Sequence, residues 1–98
     1  MTKHRTISKA TQETIKTAFK LTQEYHLGAK EGNFKVETYR AFLNALDRIP
    51  THLYCTYYTS VREVIKTICD FNASNNVDLE TTLKQIDKIL NILINKEI

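Results

Sequence analysis

Three histidines and two cysteines are the residues of this 98-residue chain best suited to hold a metal or attack an electrophile. His52 and Cys55 stand three apart, a spacing that brings two side chains of a helix to one side. A structural zinc needs four such ligands. Neither His4 near the N-terminus nor His26 at a helix end is spaced to complete the set, so no metal and no other cofactor is expected. Nucleophilic or acid–base catalysis wants a serine, cysteine or carboxylate paired with a histidine, beside a glycine-rich loop or helix start that can hold developing charge. The sequence offers no such pairing, no phosphate-binding loop and no dinucleotide fingerprint. The chain is therefore read as non-enzymatic.

Arg48 and, four positions on, His52 resemble the arginine–histidine pair of some small helical ribonucleases. The gap here is one residue shorter, and Pro50 falls inside it, so convergence of the two side chains is not expected. Cys55 and Cys69 sit fourteen residues apart in one expected helix, hence about 21 Å from each other. A disulfide needs α-carbons within about 7 Å. The two thiols are expected to stay unpaired, to act as small hydrophobes and to belong to a reducing compartment. Asn72-Ala-Ser74 matches a glycosylation sequon, which without an export signal is not expected to be used.

What could position such residues follows from composition. With 42% hydrophobic and 26% charged residues and a net charge of +3, the chain has enough apolar surface for one packed core. It is read as a single helical domain over 1–98, with 1–7 a flexible basic arm. Two glycines and one proline are too few for the many tight turns of an all-β fold. Thirteen threonines and ten isoleucines lean toward strand, so periodicity must decide.

Ile15, Ala18, Phe19, Thr22 and Tyr25 return every third or fourth place, predicting a helix from Ser8, its N-cap, to Leu27, with Gly28 as the left-handed terminator. A loop to Phe34 follows. Val36, Tyr39, Phe42, Leu43 and Leu46 predict a second helix over 35–48, closed by Pro50. A third helix is expected from Thr51 to Phe71. Its Leu53, Tyr54, Tyr57, Tyr58, Val61, Val64, Ile65, Ile68 and Phe71 share an arc of roughly 140°, the most apolar face of the chain. Asn72 to Asn76 reads as a loop. Asp78 caps a fourth helix whose Leu79, Leu83, Ile86, Leu90 and Leu93 form a short heptad seam, with Ile89 and Ile94 widening it. The expected fold is all-α, a small antiparallel four-helix bundle with the third helix central.

Charge and exposed apolar groups suggest two ways of working. Residues 1–35 carry seven Lys or Arg against three Glu, and residues 36–98 seven against eight acids. Lys3 and Arg5 of the arm, with Lys9, Lys16 and Lys20 of the first helix, form the candidate nucleic-acid surface. Glu13 and Glu24 lie among those lysines, as on an ordinary solvated face. Tyr54 and Tyr58, at the start of the third helix, and Ile92 and Ile98, off the seam of the fourth, form the candidate protein-binding patches.

Size, helical content and lack of catalytic groups are similar to those of the small helical inhibitors, immunity proteins and regulators carried by bacteria and their phages, a likeness of type and not of motif. The leading expectation is a cytoplasmic, non-enzymatic module that occupies a partner protein's surface, with self-association as one form of partnership and no role at a membrane. The alternative is a nucleic-acid-binding regulator.

Overall fold

A computed structural model describes residues 8–49 and 58–96. They form four helices, α1 (Lys9–Lys30), α2 (Val36–Asp47), α3 (Tyr58–Ser74) and α4 (Leu79–Lys96), and among the described residues no strand. The chain is thus the all-α four-helix bundle that its periodicity predicts. The end of α1 meets the start of α2 through the rings of Tyr25 and Tyr39, 4.9 Å apart. It meets the end of α3 through His26 and Asp70. The helices therefore run up, down, up, down. Among the described residues α1 and α3 each pack against all three others, while α2 and α4 do not meet.

The core draws on every helix: Ile15, Ala18 and Phe19 from α1, Phe42, Ala45 and Leu46 from α2, Val61, Ile65, Cys69 and Ala73 from α3, Ile86 and Leu90 from α4, with Ile49 after α2. The caps are partly those of the sequence reading. Ser8 accepts the Thr11 amide at 3.2 Å, and Asp78 accepts the Thr81 amide at 3.2 Å. Each satisfies a donor that the first helical turn leaves open.

The C-terminal ends of α1 and α3 lie further along the chain than expected. α1 runs through Gly28 to Lys30 and closes when Gly32, at φ 80°, adopts the left-handed conformation. The Asn33 amide then donates to the Gly28 carbonyl at 2.7 Å and the Gly32 amide to Ala29 at 3.0 Å, the paired bonds of a Schellman ending. Gly28 serves a different need: a β-carbon there would stand 2.7 Å from the Asn33 carbonyl oxygen.

α3 ends in the same manner. Asn72, Ala73 and Ser74, expected in a loop, are helical, and Asn76 takes φ 60°. The Val77 amide reaches the Asn72 carbonyl at 2.9 Å. Asn72 is buried, and its amide donates to Thr82 Oγ1 at 3.0 Å and Gln85 Oε1 at 2.7 Å. Its side chain joins α3 to α4 and is not exposed as a glycan acceptor must be.

Arg62 supplies what α2 lacks at its C-terminal end. Its guanidinium donates to the carbonyls of Ile49 at 3.0 Å and Asp47 at 3.3 Å, placing a cation where the helix dipole is negative.

Candidate functional site

On α3 the apolar arc and the buried stripe do not coincide. Val61, Ile65, Cys69, Asn72 and Ala73 are buried, whereas Val64 and Ile68 are half-buried and Phe71 is 64% exposed. At 100° per residue the buried stripe is turned by roughly 60° from the centre of the apolar arc. The expectation that Phe71 packs inward is thereby corrected: it stands on the flank that α1, α2 and α4 leave uncovered.

That flank has a counterpart on α4. Ile86 and Leu90 are buried, and Leu79 and Leu83 pack on the core from the side. Ile89 is half-buried and Ile92 is 48% exposed. Glu63, Val64, Thr67, Ile68 and Ile89 line a shallow groove of about 330 Å³ between the two helices. Val64, Ile68 and Phe71 follow the spacing of one helical ridge, as do Ile89 and Ile92. Val64, Ile68 and Ile89 are the apolar side chains that line the groove, while Phe71 borders a separate depression beside His26 and Ile92 lies one turn beyond Ile89.

Compared with family models, curated proteins and solved structures, the chain matches none. Its function has to be read from this geometry.

Of the residues singled out for protein binding, Ile92 is half exposed on α4, one turn past Ile89 and outside the lining of the groove. Tyr54 and Ile98 lie outside the described residues, and of Tyr58 only the backbone, at the start of α3, is described. The lysines of α1 lie opposite its buried stripe. Lys9 and Lys20 are exposed, and Lys16 is paired with Glu13 at 3.3 Å. Lys3 and Arg5 lie outside the described residues, as do His52 and Cys55 of the metal reading and the partner that Arg48 would need. Among the described residues no group of three potential metal ligands gathers, and no helix is long and apolar enough to cross a membrane.

One polar arrangement was not anticipated. His26 Nε2 lies 2.5 Å from Asp70 Oδ1, and the Thr22 hydroxyl donates to the same oxygen at 3.4 Å. The signal in the sequence was the spacing of Thr22 and His26, one turn apart on the continuation of the buried stripe of α1. His26, Lys66, Thr67, Asp70, Phe71 and Ser74 surround a depression of about 270 Å³. The Ser74 hydroxyl donates to the Phe71 carbonyl and is thus directed into its own helix. Asp70 is held by two groups of α1, which makes the cluster a tie between helices.

Beside it, Cys69 is fully buried. Burial and, secondarily, the neighbouring Asp70 charge push its thiol up to about 12. A thiol so protonated is a poor nucleophile and behaves as core.

Proposed function

We propose that this chain is a small non-enzymatic protein-binding module, of the inhibitor or regulator kind, that acts by covering a partner protein's surface with its α3/α4 face. The observation that carries the reading is the rotation of α3: within its apolar arc Val64 and Ile68 are only half-buried and Phe71 is exposed, and Ile89 of α4 lines the same groove as Val64 and Ile68. A monomer that used no partner would gain by burying them, since each apolar side chain moved out of water contributes about 1.5–3 kcal/mol. The unpaired, buried thiol of Cys69 supports a reducing compartment and with it a cytoplasmic location.

The nucleic-acid alternative through Lys3, Arg5, Lys9, Lys16 and Lys20 draws less support. Glu13 already neutralises Lys16, and exposed charges of both signs share that side of α1.

The test immobilises the wild-type chain, Ile92→Asp and the double variant Lys16→Glu/Lys20→Glu in extract of the native host, at low and high salt. The reading expects a protein retained by wild type and by the lysine variant but lost with Ile92→Asp, its affinity then measured with the purified partner. Nucleic acid retained in a salt-sensitive way and lost with the lysine variant, while Ile92→Asp behaves as wild type, overturns it.

A further inference from the structure

We infer that the depression between the ends of α1 and α3 is a binding site for a free aromatic amino acid, taken up as its zwitterion. The inference stands independently of the protein-binding reading.

Size argues first. At about 270 Å³ the depression is smaller than the roughly 300–1,000 Å³ of sites for drug-sized ligands, so its occupant is a small molecule. His26 closes it from α1, and Lys66, Thr67, Asp70, Phe71 and Ser74 line it from one side of α3. A cation, an anion and an aromatic ring therefore share one small space.

Their hydrogen-bonding capacity is unevenly used. His26 Nε2 and the Thr22 hydroxyl both engage Asp70 Oδ1, and Oδ2 of the same carboxylate is left without a partner. Ser74 Oγ gives its proton to the Phe71 carbonyl and accepts from Asn75 Nδ2. Lys66 and Asp70 stand one turn apart on α3, where opposite charges ordinarily meet. Yet among the described residues Lys66, half-buried, forms no ion pair with Asp70 or any other acid. The groups left over are an ammonium that donates, the Thr67 hydroxyl beside it, a carboxylate oxygen that accepts, and the 64% exposed ring of Phe71.

Such a set selects among ligands. A simple anion drawn to Lys66 meets the Asp70 carboxylate one turn away, and a simple cation drawn to Asp70 meets Lys66. A molecule that carries both charges on one carbon satisfies both, its carboxylate on Lys66 and Thr67 and its ammonium on Asp70 Oδ2. The side chain of that molecule lies against Phe71, where a second aromatic ring gains offset or edge-to-face contact beyond its area alone.

The experiment follows the amide NMR spectrum of the full chain during titration with four compounds. These are L-phenylalanine, N-acetyl-L-phenylalanine without the cation, 2-phenylethylamine without the anion, and glycine without the ring. Phenylalanine is expected to give saturable shifts at residues 24–28 and 64–74 with a Kd on the order of 1 mM. The other three should bind about tenfold more weakly, each lacking one contact worth roughly 1.4 kcal/mol. Lys66→Gln should remove the preference over phenylethylamine. Asp70→Asn, which keeps an acceptor for Thr22, should remove the preference over the acetylated compound, and Phe71→Ala should bring phenylalanine to the level of glycine. Absence of saturable shifts, equal affinity for all four compounds, or preferences that survive these substitutions overturns the inference. If Asp70→Asn fails to fold, Lys66→Gln and Phe71→Ala decide alone. Partner capture read through Ile92→Asp is a separate result, so either reading can fail without the other.

Discussion

His26 Nε2 and Asp70 Oδ1 stand 2.5 Å apart, joining the end of α1 to the end of α3 from positions 44 residues apart in the chain. The two side chains are 23% and 34% exposed, so solvent screens the pair but does not dissolve it. His26→Ala and Asp70→Ala are each expected to lower stability by about 1–2 kcal/mol. In a double-mutant cycle by urea unfolding, the combined variant should lose much less than the two losses together. Full additivity would mean that the pair contributes nothing as a pair.

Gly28 and Gly32 make different demands on the same turn. Alanine in a helix interior ordinarily stabilises relative to glycine by about 1 kcal/mol. At Gly28 the sign should reverse, because the added carbon would meet a backbone oxygen at 2.7 Å that cannot swing away. A loss of about 1–3 kcal/mol is expected there. Gly32→Ala meets no atom within 4 Å but must adopt φ 80°, at a cost of about 1 kcal/mol. Thermal melts of the two variants check both values, and a stabilised Gly28→Ala would refute the close approach.

Asn72 forms the polar link inside the α3–α4 hairpin. Asn72→Ala leaves the buried Thr82 hydroxyl and Gln85 without its amide and is expected to cost about 1–3 kcal/mol. Replacing exposed Asn75 should cost well under that. Denaturant unfolding of the two variants side by side decides the matter, and equal losses would count against the network.

Cys69 gives the pH dependence its alkaline limb. The folded thiol titrates near 12 against an ordinary value of 9.0, so the folded state holds this proton more tightly than the unfolded one. The stability it contributes is complete below pH 9.0 and is lost as pH rises toward 12, by about 1.4 kcal/mol per pH unit while the mismatch lasts. Cys69→Ala should flatten that decline relative to wild type. In a Cys55→Ser background, reaction of Cys69 with a thiol reagent at neutral pH should track unfolding; rapid labelling of the native protein would contradict its burial.

Asp78 acts at the other end of the scale. Hydrogen bonds from Thr81 hold its carboxylate below the ordinary value. Its stabilisation is therefore complete above the unfolded-state value and is lost as pH falls through the folded one. Asp78→Asn should remove that acid dependence while keeping the cap.

The bundle was legible because Ile15, Phe19, Phe42, Leu46, Ile65 and Ile86 return at helical intervals and all are buried. Its boundaries were less so. A glycine after an apolar stripe reads as a terminator, and Gly28 carries the same letter for a reason of close packing that only the folded turn reveals. Asn72 read as a loop residue because its amide competes for backbone bonds, and only the proximity of Thr82 and Gln85 gives that amide a buried use. The proposed binding face was half legible. Ile92 stood out as lying off the seam, but Val64 and Phe71 looked like core as Ile68 did, and of the three only Ile68 packs against it, since periodicity shows how wide an apolar arc is and not which part its neighbours cover. The His26–Asp70 tie spans two helices and left no local pattern beyond Thr22 and His26.

Hydrogen–deuterium exchange of the chain with and without its purified native partner tests the α3/α4 face most directly. Amides of residues 61–71 and 85–92 should gain protection on binding, while those of residues 9–27, behind the lysine side of α1, stay unchanged. Protection confined to that stretch of α1, with α3 and α4 unaffected, would contradict the assignment.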